Sequence, residues 1–364
     1  MEFLYETIAA VTWQQVIMWC LGALLIFLAI KKDMEPALLL PMGFGAVLIN
    51  IPFSGAEGVM SSLFAIGIEM NEIMPLVLFI GIGAMIDFGP LLSNPKLFLF
   101  GGAAQFGIFL TILLAAACGF SIEDAASIGI IGAADGPTSI VVAQTLKSNY
   151  VGPIMVVAYS YMALVPIIQP AVIKLTTTKK ERLIRMEYKP ASVSKRTKIL
   201  FPILVTIVSG LIAPASLSLV GMLMFGNLIR ECGVLNYLTD TAKDVLTNLV
   251  TLFLGITIAF TMKAENFITV QTLMIMGLGL CAFIFDTFSG VMLAKVMNLF
   301  LKEKINPMIG AAGISAFPMS ARIVQKMGIK EDPTNHLLMH AVGANVSGQI
   351  ASAIVGGLII GLVL

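Results

Sequence analysis

A series of apolar runs, each close to the length of a bilayer crossing, limits this chain more than any other feature. Residues 16–30, 97–118, 151–173, 268–285 and 351–364 approach or exceed the roughly 20 residues a helix needs to cross the hydrocarbon core. A water-soluble fold has too little interior to hide them. The chain is 58% apolar and 12% charged with mean hydropathy +0.96, so much of its surface must face lipid. Backbone polar groups in hydrocarbon have to be satisfied internally, which selects helices or closed barrels. Runs of this length select helices. The expected architecture is an all-α integral membrane protein with about ten or eleven transmembrane helices.

Several other classes fall away on charge and spacing. Glu2 and Glu6 precede the first apolar run and Lys31-Lys32 follow it, the reverse of a secretory signal, so the run is expected to remain as a helix. Cys20, Cys118, Cys232 and Cys281 lie scattered in apolar sequence and suggest neither disulfides nor a thiolate metal site; packing roles are expected. A net charge of +1 gives no footprint for nucleic acid. His336 and His340 lack an HExxH context, and a shared helix face accounts for them.

Charge concentrates in residues 174–198, where Lys174, Lys179, Lys180, Arg182, Arg185, Lys189, Lys195, Arg196 and Lys198 face only Glu181 and Glu187. By the positive-inside rule this connection is cytoplasmic, with the Lys31-Lys32-Asp33 turn on the same side. The basic loop also separates two halves that resemble each other. Gly132-Ala133-Ala134-Asp135-Gly136-Pro137-Thr138-Ser139 in the first matches Gly310-Ala311-Ala312-Gly313-Ile314-Ser315-Ala316-Phe317-Pro318 in the second. Each precedes a long apolar segment with polar residues at its middle, Tyr159-Ser160-Tyr161 with Gln169 in one and Asn345-Val346-Ser347-Gly348-Gln349 in the other. Paired Gly/Pro-interrupted segments in corresponding positions mark inverted-repeat transporters with broken helices or hairpins around a central binding site. The expected organisation is N-terminal helices over 1–72, a first repeat over 73–173 broken at 132–139, the basic loop 174–198, connecting helices over 199–245, and a second repeat over 246–364 broken at 306–318.

Asp135 stands between the apolar runs 128–134 and 140–143. A carboxylate at that depth costs roughly 2.5–3.5 kcal/mol on insertion scales unless a partner or ion compensates it. It is expected to hold a small cation or a proton, the alternative being an acid bonded to the backbone at the break. Asn306, in Asn306-Pro307, is either a neutral ligand or a helix N-cap. Ser315 offers a hydroxyl and a freed carbonyl, or simply a small residue for close helix approach. Tyr161 is a ligand or proton carrier, or else an interfacial tyrosine. Asn345 and Gln349, four apart, share a helix face. Arg322 can bind a carboxylate in a fork, or anchor the chain with Lys326 and Lys330. Asp87 and Asp286 read as helix-end or structural acids. Gly81-Ile82-Gly83 lacks the context of a dinucleotide loop.

Taken together, residues 132–138, 158–170, 304–322 and 343–348 resemble the beta subunits of the sodium-pumping, biotin-dependent decarboxylases that act on oxaloacetate, glutaconyl-CoA, methylmalonyl-CoA or malonate, with similarity from about Pro75 to the C-terminus. That resemblance implies a sodium site formed by Asp135 and Asn306, with Gly310 allowing close backbone approach. It implies a second cation site or proton route at Tyr161 and Ser315, a further ligand in Asn345, and a role for Arg322 in carboxybiotin handling or ion affinity. It also implies partners: carboxyltransferase and biotin-carrier subunits that supply carboxybiotin, a small membrane-anchor subunit, and a homo-oligomer within the complex, in the inner membrane of a bacterial or archaeal cell. No Met-Lys-Met carrier motif occurs in this chain. A chain this short suits an acyl-CoA or malonate complex. The competing expectation is a sodium-coupled transporter of an organic anion bound by Arg322.

Overall fold

The computed structural model describes residues 2–187 and 193–364, with side chains from residue 6 onward. Lys189 of the basic connection lies outside the described residues. All regular structure among the described residues is helical.

Helix α1 (Trp13–Lys32) starts at a reciprocal cap, Thr12 and Gln15 each bonding the other's backbone, and ends with Lys31 and Lys32 against its negative pole. A tight turn leads into α2 (Pro36–Ile49), which carries Pro41 inside it. Helix α3 (Ile73–Met85) follows a bend of 64° from the preceding helical segment. Then come α4 (Phe106–Ala117), the shorter α5 (Ile122–Gly129) and α6 (Gly136–Thr145), and the 26-residue α7 (Val151–Thr176). In the second half α8 (Val270–Phe300) runs unbroken for 31 residues, about 46 Å at 1.5 Å per residue, well beyond the hydrocarbon thickness. It is followed by the single turn α9 (Met308–Ala311), by α10 (Met319–Glu331) and by α11 (Leu338–Val363).

Among the described residues six helices are long and apolar enough to span a membrane, or seven if the bent pair Ala56–Glu69 and Ile73–Met85 is one crossing. These are identified by length and composition alone, and further apolar chain lies in shorter pieces such as the 14-residue α2, so the expected ten or eleven crossings are not fixed by them. Large apolar side chains turn outward along these helices, among them Leu113, Leu211 and Leu273, each at least 67% exposed. Lipid is their natural solvent. Cys20, Cys118 and Cys281 also lie exposed rather than packed, since they fall on such outward faces. His336 sits in the connection before α11, so it does not share a helix with His340.

Small residues fix how closely the inner helices meet. A Cβ built on Gly310 would stand 2.0 Å from the Gly290 carbonyl oxygen, and one on Gly348 would stand 2.0 Å from that of Gly313. Thus α9 lies against α8, and α11 lies against the second break, backbone on backbone.

Candidate functional site

The first break begins where α5 tightens into a 3₁₀ turn over Ile130–Ala133, after which Ala134 adopts a left-handed φ of +53° and Asp135 is extended. Pro137 follows in the first turn of α6, where its missing N–H leaves no bond unmade. Asp135 caps that turn, its Oδ1 accepting the Thr138 N–H at 3.5 Å. Its Oδ2 accepts from Thr138 Oγ1 at 2.7 Å, Ser352 Oγ at 3.0 Å and Gln349 Nε2 at 3.1 Å. The carboxylate is 3% exposed. Among the described residues four donors and no basic side chain within ion-pair distance hold it, which leaves its formal charge for a mobile cation or proton to balance.

The second break touches the first. Ser315 donates both its N–H, at 3.1 Å, and its Oγ–H, at 2.6 Å, to the Ala133 carbonyl. Helix α11 serves both breaks from one face: Asn345 Nδ2 reaches Ile314 O at 2.7 Å, while Gln349 and Ser352, one and two turns on, reach Asp135. The Oδ1 of Asn345 is buried without a hydrogen-bond partner, an acceptor open to a ligand.

Asp135, Ser315 and Gln349 line a cavity of about 290 Å³. The same cavity is lined by the half-buried Glu35 of the α1–α2 turn and the exposed Arg322 of α10. Burial pushes the Glu35 carboxyl up, and the Arg322 guanidinium partly offsets this. A cation or a small anionic group entering here passes a mixed-charge mouth before reaching one deep carboxylate. Among the described residues no three His, Cys, Asp or Glu side chains cluster as for a divalent or transition metal.

Other expected site residues lie elsewhere. Asn306 gives its Nδ2 to the carbonyls of Arg182 and Ile184, both at 2.8 Å, and its Oδ1 accepts the Met308 N–H at 3.1 Å. It pins the basic connection to the start of α9, and that connection is further clamped by Arg182–Glu331 and Arg185–Asp332 ion pairs, each 2.7 Å. Gly310 makes its close approach to α8. Tyr161 donates its hydroxyl to the Met276 carbonyl and lines a separate apolar cavity with Met18 and Leu25. Asp87 pairs with Lys198 at 3.2 Å at a helix start. Asp286, fully buried, accepts the Gly107 N–H at the start of α4.

Sequence reading passed over Thr138, Tyr159 and Ser352. Thr138 and Ser352 carried a usable signal, the first three residues after Asp135 and the second seven after Asn345 on one helical face. Tyr159 lines the Asp135 cavity although Tyr161 drew attention as the membrane phenol.

A lipid-embedded helical bundle whose two broken segments meet beside the buried Asp135 carboxylate defines a membrane protein of the ion-translocating class. The family model for the Na⁺-transporting oxaloacetate decarboxylase beta subunit matches residues 14–363, and the chain belongs to that family. It is 50% identical to the methylmalonyl-CoA decarboxylase subunit beta of Propionigenium modestum, over 95% of this chain and 94% of that one. It is 48% identical to the glutaconyl-CoA decarboxylase subunit beta of Acidaminococcus fermentans, over 97% and 94%. With the oxaloacetate decarboxylase beta chain of Klebsiella pneumoniae it shares 43%, over 96% and 95%.

Proposed function

We propose that this chain is the membrane subunit of a decarboxylase sodium pump, which releases CO₂ from carboxybiotin and exports sodium as it does so. The observation that carries the reading is the Asp135 carboxylate, buried where the two broken segments meet and lining a cavity that Arg322 also lines. Loss of CO₂ from the biotin ring nitrogen leaves that nitrogen to take up one proton, and a carboxylate exchanging sodium for a proton can link the two events. Moving one charge against 100 mV costs about 2.3 kcal/mol, so one favourable decarboxylation can drive one or two ions.

Arg322 meets the carboxylated ring at the cavity mouth, where a guanidinium matches a carboxylate. Asp135, Ser315 and Asn345 supply oxygens for sodium, with Tyr161 serving a second route on the other side of α7. Asn306 joins that set when the 182–186 connection releases its amide; Gly310 keeps α9 close enough to α8 for the break to hold its shape. The segments 73–173 and 246–364 act as two opposed repeats that expose Asp135 to one side at a time. Helices over 1–72 and 199–245 frame them, and the basic loop 174–198 faces the cytoplasm.

Carboxybiotin comes from carboxyltransferase and biotin-carrier subunits. A small anchor subunit and further copies of this chain complete the assembly in the inner membrane of a bacterial or archaeal cell. The 48–50% identity to two acyl-CoA decarboxylase subunits, against 43% to an oxaloacetate one, favours an acyl-CoA-type complex. Nothing among the relatives favours an organic-anion symporter. Purification of the assembled complex tests the reading: a biotinylated partner is expected to accompany the chain, and CO₂ release from carboxybiotin is expected to rise with sodium. Release that ignores sodium overturns it.

A further inference from the structure

Tyr159 lines the Asp135 cavity, and among the described residues its hydroxyl has no partner. It is 2% exposed, and its Oη is buried with no hydrogen-bond partner. Buried hydroxyls are rarely left in this state. The neighbour that admits the ring is Gly136, directly after Asp135. A Cβ there would fall 2.2 Å from Cζ of Tyr159, the carbon that bears the hydroxyl. The absence of a side chain at 136 thus brings the phenol end of Tyr159 against the peptide that carries the buried carboxylate.

The remaining oxygens of this cavity sort by what they are already doing. Asp135 Oδ2 is taken by three donors, whereas Oδ1 has only the long contact to the Thr138 N–H. Ser315 Oγ spends its proton on Ala133 O and keeps its lone pairs. Gln349 directs its Nε2 to Asp135, which leaves its carbonyl oxygen as the free end. A hard monovalent cation is bound by several oxygens of which only one need be charged. One carboxylate oxygen, two hydroxyl oxygens and an amide oxygen lining a single cavity make such a set.

We infer that the Tyr159 hydroxyl oxygen is a ligand of the monovalent cation held at Asp135. The inference rests on the sodium-pump reading above and adds to it a residue on the opposite face of α7 from Tyr161, whose own hydroxyl is committed to Met276 O. Tyr159 acts as a neutral phenol: its lone pairs face the ion and its proton turns away, so no proton transfer is required of it.

Tyr159→Phe in the assembled complex removes the oxygen and nothing else that is bonded in the structure. The sodium concentration for half-maximal decarboxylation is expected to rise roughly tenfold, the lower end of what loss of a metal-site contact causes. The rate at saturating sodium should stay within about twofold, because binding and not chemistry is affected. A second measurement keeps the site intact: 3-fluorotyrosine placed at 159 should show a fluorine resonance that moves on adding sodium and not on adding potassium at equal ionic strength. Unchanged half-saturation in Tyr159→Phe, or a resonance indifferent to sodium or moved equally by potassium, overturns the assignment. If the wild-type complex itself shows no sodium dependence, the parent reading fails first; sodium dependence in the wild type with an unaltered variant rejects Tyr159 alone.

Discussion

Gly290→Ala is the sharpest test of how the second break is held. Gly290 on α8 and Gly310 on α9 meet backbone to backbone, and a Cβ at 290 would stand 2.1 Å from the Gly310 carbonyl oxygen and 2.8 Å from its carbon. Ordinary contact begins near 3.4 Å, so the two elements must part by more than about 1 Å to admit a methyl group. Overpacking of this kind costs about 1–3 kcal/mol. Gly277 lies on the same helix with nothing within 4 Å of its built Cβ, and Gly277→Ala should be neutral or gain up to about 1 kcal/mol from helix propensity. The assay is thermal denaturation of the purified complex in detergent. At about 2 °C per kcal/mol in a chain of this size, Gly290→Ala should melt roughly 2–6 °C below the wild type and Gly277→Ala at or above it. Gly310→Ala should resemble Gly290→Ala, and the double variant should fall short of the sum because both methyl groups occupy one gap. Equal melting of Gly290→Ala and Gly277→Ala refutes the packing argument.

Two further outcomes follow from the site. Ser315→Ala deletes the 2.6 Å bond to Ala133 O but leaves that carbonyl its 3.1 Å N–H donor, so stability should fall only about 0.5–1.5 kcal/mol; a sodium titration of decarboxylation should nonetheless shift to higher concentration, and an unshifted curve rejects Ser315 as an oxygen donor. Because burial raises the Glu35 carboxyl above its ordinary value of 4.5, with Arg322 partly offsetting, the folded protein holds that proton more tightly than the unfolded chain, and ionising Glu35 weakens the fold as pH rises. Glu35→Gln should therefore raise the melting temperature at about pH 8 and lose that advantage toward pH 4.5, as melts across this range will report; stabilisation confined to acid pH contradicts the burial argument.

The breaks and the deep acid were legible because each depends on local chemistry. Gly132, Gly136 and Pro137 fall together within the eight residues 132–139 and mark a helix boundary, and a charge between apolar runs has to be buried in the bundle. The matched run from Gly310 to Pro318 marks the second break, and the four-residue spacing of Asn345 and Gln349 gives the face of α11 that meets both. What was not legible depends on long-range packing. Tyr159 and Tyr161 are two residues apart on α7 and point to different sides, and only the placement of α6 and α8 around that helix decides which phenol meets Asp135. The Asn306 amide is engaged by carbonyls 122 and 124 residues away in the chain, a pairing no local pattern announces. Where the crossings divide is likewise not a matter of composition: the 64° bend before α3 breaks apolar sequence that a residue count treats as continuous.

Sodium uptake into proteoliposomes by the reconstituted complex, measured with radiolabelled sodium during decarboxylation, tests the central claim most directly. Asn at position 135 keeps an oxygen to accept the Thr138 N–H and cap α6, so Asp135→Asn should fold and assemble while losing only the charge. The account predicts that wild-type vesicles accumulate sodium and that Asp135→Asn vesicles do not, with sodium-stimulated CO₂ release lost alongside. Sodium accumulation by Asp135→Asn at the wild-type rate contradicts it.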